Sequence, residues 1–130
     1  MSPTKLHKAP MISIVDDDKA FREATGRLME SMSYGVSLFA SAEEFLRSQR
    51  IADSSCLIVD MHMPGLSGAE LQQHLIAQGN RTPIIFVSAI AHEKTKAMAL
   101  EAGAFGFLDK PFQEQSLIDF VDAALKRHER

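Results

Sequence analysis

Short, uninterrupted apolar runs separated by amphipathic segments are the feature that most limits the folds open to this chain of 130 residues. Three of the runs are strongly apolar and rich in β-formers: MISIV at 11–15, CLIV at 56–59 and PIIFV at 83–87. Runs of this kind are typical of strands that are buried on both faces, which is the usual condition in a parallel sheet. GVSLF at 35–39 and GFL at 106–108 are weaker strand candidates.

The segments between these runs have the spacing of amphipathic helices. Apolar residues recur at helical intervals over 18–32, and the last segment, 113–127, has them at i, i+3, i+4, i+7 and i+8. Typical caps and stops bound the other helical segments: Ser41 with Glu44, Ser67, Gly79 and Gly103. Alternating strands and helices predict a doubly wound α/β fold, a parallel sheet with helices on both faces. Units this short favour a small open sheet over an eightfold barrel.

The composition is that of one globular domain, with 45% apolar and 24% charged residues. A net charge of −3 argues against a chain built to bind nucleic acid or an anionic membrane surface, and no apolar run could cross a bilayer. Residues 1–10 predict a flexible arm without a secretory signal, followed by one domain over 11–130. The single cysteine, Cys56, lies in a predicted buried strand, which fits a reducing cytoplasm.

Acidic residues end two of the predicted strands. Asp16 and Asp17 follow the first strand and Asp60 follows the third, whereas Asp18 is predicted to cap the first helix. Doubly wound sheets bind ligands at the carboxyl ends of their strands. If the first and third strands are neighbours, the three carboxylates meet in one crevice and raise one another's pKa values. Mg²⁺ would relieve this repulsion, because it binds a few carboxylates while keeping several waters.

Two further polar residues follow strands at the same edge: Ser88 after the fourth strand and Lys110 after the fifth. The edge therefore combines acids, a metal ion, a hydroxyl group and an ammonium group. Such a set suits phosphoryl chemistry, since a carboxylate can accept the group while the metal, the ammonium and the hydroxyl neutralise its oxygens.

The motifs IVDDD, IVDMHMPGLSG, FVSA and FLDKPF, in this order and spacing, resemble the receiver domains of two-component response regulators over about residues 11–127. FASAEEFL and GAFGFLDKPF are most similar to the FixJ-type branch, whose members usually carry a C-terminal DNA-binding domain. The resemblance implies a flavodoxin-like sheet of order 2-1-3-4-5 and a phosphoryl group received from a sensor histidine kinase with Mg²⁺. DNA contact is then expected only through a domain beyond this sequence. The chain would be no metabolic enzyme, catalysing only its own phosphorylation and dephosphorylation.

The resemblance also implies a role for each residue of the acidic edge. Asp60 would be the phosphoacceptor, and Lys110 would pair with it before the reaction. Asp17 would bind Mg²⁺ directly and Asp16 largely through water, while the backbone carbonyl of His62 would complete the protein's share of the coordination.

For switching, the resemblance implies that Ser88 moves to bind the phosphoryl oxygens and that Phe107 fills the space it leaves. The helices beside the fifth strand would then form the output face. Met98, off the Ala97/Leu100 stripe, and Ile118 are predicted to expose an apolar patch there, through which phosphorylation promotes homodimerisation. Ser88 and Phe107 are therefore the predicted switch, and Met98 and Ile118 belong to its predicted output face.

Other functions remain as alternatives at this level. A phosphatase of the haloacid-dehalogenase type would need a second aspartate where this chain has His62. A flavodoxin would need a phosphate loop rich in Ser, Thr and Gly, where this chain has DDDK. The third alternative is a receiver-like interaction module that works without phosphorylation.

Overall fold

The computed structural model describes residues 9–90 and 92–128, in which ten elements alternate along the chain. The strands are β1 (Met11–Val15), β2 (Gly35–Phe39), β3 (Cys56–Asp60), β4 (Ile84–Ser88) and β5 (Gly106–Asp109). The helices are α1 (Lys19–Ser31), α2 (Ala42–Arg47), α3 (Gly68–Ala77), α4 (Glu93–Glu101) and α5 (Glu114–His128). All strand pairs are parallel, in the order β2-β1-β3-β4-β5. The predicted fold class and strand order are confirmed.

The core consists of two hydrophobic clusters, one on each face of the sheet. Successive residues of a central strand point to opposite faces: Ile58 of β3 packs with α1 and α5, whereas Val59 packs with α2 and α3. Because both faces are covered, neither position in a central strand can be polar without a partner. This explains why the strands appear in the sequence as continuous apolar runs.

Side-chain caps fix the start of three helices. Asp18 Oδ1 accepts the Phe21 N–H at 3.3 Å, so Asp18 caps α1 as predicted. Ser67 forms a complete capping box with Glu70 at the start of α3. The box predicted at α2 is only half formed among the described residues, because Ser41 Oγ accepts the Glu44 N–H at 3.0 Å without a return bond.

Helix α4 faces the sheet with a different residue from the one predicted. Ala99 is buried, at 3% exposure, whereas Leu100 is 42% exposed and Met98 61% exposed. The predicted Ala97/Leu100 stripe is therefore wrong, although the exposure of Met98 is confirmed. Residues 97–100 are all apolar, so they show no helical spacing from which the buried face could be predicted. The small side chain of Ala99 lets the helix approach the sheet closely.

The ends of the described chain bear on two predictions. The predicted arm lies outside the described residues except at its last two positions, where the Pro10 carbonyl accepts the Gly35 N–H at 2.9 Å. Within the described residues, no helix has both the length and the apolar character needed to cross a membrane.

Candidate functional site

Three carboxylates meet at the carboxyl edge of the sheet. Strands β1 and β3 are hydrogen-bonded neighbours with Val15 opposite Val59, so the residues that follow them lie side by side. One carboxylate oxygen from each of Asp16, Asp17 and Asp60 lies within 4.8 Å of the others. The predicted juxtaposition of these three residues is therefore present in the structure, with Asp17 exposed and the other two buried.

The environment of Asp60 opposes its ionisation. Burial raises the pKa of Asp60 to about 6, and the charge of Asp16 acts in the same direction. The nearby Lys110 and the backbone N–H of His62, which donates to Asp60 Oδ1 at 3.2 Å, act to lower this pKa. A crowded carboxylate set of this kind fits a hard cation such as Mg²⁺, because oxygen ligands satisfy it and its charge removes their repulsion.

Lys110 pairs with Asp16 rather than with Asp60. Its Nζ lies 2.9 Å from Asp16 Oδ2, with side-chain exposures of 17% and 1% respectively. The predicted Lys110–Asp60 pair is therefore wrong for this structure. Asp16 has the carboxylate that water reaches least, so a single ammonium group gains most by bonding there.

Ser88 ends β4 with its hydroxyl turned into the following turn. Ser88 Oγ donates to the carbonyl of Ile90 at 2.6 Å and accepts the Ile90 N–H at 3.1 Å. The backbone N–H of Lys110 donates to the Ser88 carbonyl at 2.7 Å, which joins the ends of β4 and β5. Ser88 and Lys110 thus lie at the edge that carries the carboxylates, and the hydroxyl is already bonded to backbone.

Phe107 and His62 lie in contrasting surroundings. Phe107 of β5 is buried beside Phe86, with ring centroids 6.3 Å apart, and Lys96 Nζ of α4 lies 5.8 Å from its centroid. The His62 ring is exposed and meets the exposed ring of His92 edge to face at 6.5 Å. Phe107 therefore lies against α4, whereas the His62 side chain lies at the protein surface.

The sequence analysis missed Glu43, which ties α2 to the loop after Asp60. Glu43 Oε2 accepts the Leu66 N–H at 3.0 Å, and this hydrogen bond lowers the pKa of Glu43. Gly65 has a φ of +75°, and a Cβ there would lie 2.5 Å from the same oxygen. Glu43 and Leu66 are far apart in the sequence, so no periodic pattern predicts their contact. The one sequence signal was Gly65, since glycine readily adopts a positive φ.

Gly68 was missed for a similar reason. A Cβ on Gly68 would lie 2.6 Å from the carbonyl oxygen of Asp60 and 2.9 Å from the Cα of Met61. Glycine at the start of α3 therefore lets the helix begin directly against the backbone that carries the Asp60 side chain.

The family model for the response regulator receiver domain matches residues 12–122. The chain belongs to this family. The receiver is 39% identical to "Transcriptional regulatory protein TdiR" of Thauera aromatica over 96% of this chain and 55% of that protein. It is 33% identical to "Transcriptional regulatory protein FixJ" of Bradyrhizobium diazoefficiens (strain JCM 10833 / BCRC 13528 / IAM 13628 / NBRC 14792 / USDA 110), over 91% of this chain and 58% of that protein.

Among solved structures, the receiver is similar to the response regulator StyR, with a TM-score of 0.87 and 38% identity over 94% of this chain and 62% of StyR. The chain spans about half the length of the curated relatives it matches. The predicted family, with FixJ among the relatives, is confirmed, and with it a role in two-component signalling rather than in metabolic catalysis. Receiver domains pair with histidine kinases and generally bind Mg²⁺ at an acidic pocket such as this one.

Proposed function

We propose that this receiver domain takes a phosphoryl group on Asp60 from a sensor histidine kinase in the cytoplasm, in a reaction that depends on Mg²⁺. The observation that carries the proposal is the approach of three carboxylates to within 4.8 Å at the edge where Lys110 also lies. Asp16, Asp17 and Asp60 with the backbone carbonyl of His62 would hold Mg²⁺, which supplies positive charge to neutralise the transferred group.

In the proposed reaction, one carboxylate oxygen of Asp60 attacks the phosphorus of a phosphohistidine. An oxygen–phosphorus bond forms as the phosphorus–nitrogen bond breaks, and the electron pair of that bond stays on the imidazole nitrogen. Lys110 leaves Asp16 to neutralise the phosphoryl oxygens, and the Ser88 hydroxyl donates to one of them. Burial and the charge of Asp16 raise the pKa of Asp60 to about 6, and bound Mg²⁺ would oppose this by favouring the ionised carboxylate that attacks.

Intact-protein mass spectrometry after incubation with acetyl phosphate tests the assignment. Wild type should gain one phosphoryl group only when Mg²⁺ is present, and Asp60→Asn should lose at least about a hundredfold in rate because the nucleophile is gone. Asp109→Asn is the matched control, since Asp109 is an exposed acid that ends β5 at the same edge. Labelling of Asp60→Asn at the wild-type rate would contradict the proposal.

The proposed signal passes from Ser88 to the helix beside β5. To reach a phosphoryl oxygen, the Ser88 hydroxyl must give up its two hydrogen bonds to Ile90, which lie on the connection that leads into α4. Phe107 then shifts toward the space that Ser88 leaves. Phosphorylation thereby biases two packed arrangements instead of creating a new one.

The proposed output is a homodimer formed through α4, β5 and α5, with Met98 and Ile118 in the contact. DNA binding and control of transcription would belong to a separate C-terminal domain, in keeping with the names of the relatives as transcriptional regulatory proteins. A receiver-like module that works without phosphorylation is the alternative, and no observation favours it, because every reactive side chain is present.

A further inference from the structure

Phe21 in the first turn of α1 lies against the ammonium group of Lys110. The centroid of its ring is 4.1 Å from Lys110 Nζ, on the same nitrogen that bonds Asp16 Oδ2 at 2.9 Å. The ring also meets Phe112 edge to face, with centroids 5.9 Å apart and an interplanar angle of 82°. The ammonium group is therefore bounded by a carboxylate and by an aromatic face that is itself packed against a second ring.

We propose that Phe21 is a positioning residue that holds the Lys110 ammonium at the phosphorylation site. The inference rests on the proposed role of Lys110 in neutralising the phosphoryl group. A lysine has a flexible four-carbon stem, so an ammonium held only by one carboxylate can occupy many positions. An aromatic face attracts the cation through its quadrupole without a lone-pair acceptor, so N–H donors remain free for phosphoryl oxygens.

Phe21 is itself fixed relative to the acidic cluster. Its backbone N–H is capped by Asp18, and the Asp18 N–H donates to Asp16 Oδ1 at 2.9 Å. Arg22 Nη1 donates to the Asp16 carbonyl at 2.7 Å. These hydrogen bonds fix the start of α1 relative to Asp16, which pairs with Lys110. They thereby also fix the position of the Phe21 ring.

An open cavity lies beside the Phe21 ring, and loss of the ring would give the Lys110 side chain room to move. The cavity has a volume of about 450 Å³ and is lined by Phe21, Ala89, Lys110, Pro111 and Phe112. A shorter, non-aromatic side chain at position 21 would remove the attraction and enlarge this space. The Lys110 stem could then turn away from the site.

The test compares Phe21→Leu with Phe21→Tyr, which keeps the ring. Cation–π contacts of this class correspond to about three- to thirtyfold in an equilibrium constant, so Phe21→Leu should slow Mg²⁺-dependent labelling by acetyl phosphate about tenfold. Phe21→Tyr should keep a rate close to that of wild type. In proton NMR of the unphosphorylated protein, the Lys110 ε-methylene signals should be shifted upfield by the ring in wild type and Phe21→Tyr but not in Phe21→Leu.

Phe105→Leu is the matched control. Phe105 lies just before β5, at the amino ends of the strands and therefore far from the acidic cluster. It packs on the same hydrophobic cluster as Phe21, and the guanidinium of Arg127 lies 5.7 Å from its ring centroid. This variant loses comparable packing without touching Lys110, so its labelling rate should match wild type.

The outcomes separate this inference from the proposed function. Wild type that is not labelled overturns both. If wild type is labelled and Phe21→Leu reacts as fast as wild type, or as slowly as an equally slowed Phe105→Leu, only the positioning role is overturned. The same follows if the ε-methylene signals do not differ between wild type and Phe21→Leu.

Discussion

Helices α4 and α5 flank the same strand, β5, but are attached to the sheet very differently. Helix α5 has 15 residues and buries a continuous stripe that consists of Leu117, Val121, Ala124 and Leu125. Helix α4 has 9 residues and buries only Ala99. Fully burying a Leu or Val side chain contributes roughly 1.5–3 kcal/mol, whereas a single methyl group contributes about 0.8 kcal/mol. The packing therefore holds α5 much more strongly than α4.

This difference indicates which helix can respond to phosphorylation at low cost. The connection into α4 begins at the Ser88–Ile90 turn, and Phe107 belongs to the same cluster as Ala99. A buried hydrogen bond of 3.1 Å from Gln72 Nε2 of α3 to the Ala99 carbonyl also attaches α4. A small bias at the site can move a weakly held helix, because the two arrangements then differ little in free energy.

The largest expected effect tests the packing difference directly. Leu117→Ala should lower the free energy of unfolding by about 3 kcal/mol, because it leaves a cavity under α5. Leu100→Ala on α4 removes the same atoms from an exposed position and should change it by less than about 1 kcal/mol. Urea unfolding followed by circular dichroism measures both. Equal losses would mean that α4 is held as firmly as α5.

A second effect on the free energy of unfolding comes from the buried charge of Asp60 rather than from packing. The pKa of Asp60 in the folded protein is about 6, above its reference value of 3.8, so ionised Asp60 opposes folding fully above pH 6 and not at all below about pH 4. In the absence of Mg²⁺, Asp60→Asn should therefore raise the free energy of unfolding by about 3 kcal/mol at pH 8, and most of this gain should be lost as the pH falls to 4.

Urea unfolding at several pH values checks this expectation. Asp109→Asn again serves as the control, because Asp109 is exposed at the same edge of the sheet. A gain that is independent of pH would show that Asp60→Asn stabilises the protein by packing rather than by removing charge.

The parts of this protein that follow from periodicity were predictable from its sequence. The bounds of β1 and β2, and the buried stripe of α5, agree with the predicted ones because short apolar runs and helical spacing report directly on burial. The acidic edge was predictable for a topological reason. Carboxyl ends of parallel strands meet at one edge, so Asp16, Asp17 and Asp60 converge once β1 and β3 are neighbours.

The parts that were not predictable depend on side chains from distant segments. The partner of Lys110 depends on which carboxylate is more buried, and burial at a shared crevice is a tertiary property. The Glu43–Leu66 bond and the contact of Phe21 with Lys110 both join different elements. The inward face of α4 was mispredicted because its apolar residues are consecutive, so the small Ala99 gave no stronger signal than its neighbours.

The smallest expected effect concerns the proposed dimer. Sedimentation velocity with acetyl phosphate and Mg²⁺ should show a shift of wild type toward dimer. Ser88→Ala should still be phosphorylated, more slowly, but should shift less at equal phosphorylation because the hydroxyl that couples the site to α4 is missing. Full dimerisation of phosphorylated Ser88→Ala would contradict this coupling.

The two helices should contribute differently to that dimer. Met98 is exposed on α4, so Met98→Glu should weaken dimerisation by about tenfold, equal to about 1.4 kcal/mol, with the stability of the monomer unchanged. Ile118 is half-buried against the hydrophobic cluster to which the buried stripe of α5 belongs. Ile118→Glu should therefore weaken the dimer and also destabilise the monomer. Leu38→Glu on β2 is the control, because Leu38 is exposed on the strand at the opposite end of the sheet from β5. If Met98→Glu dimerises like Leu38→Glu, the output surface does not include α4, and the weak attachment of α4 serves another purpose than dimerisation.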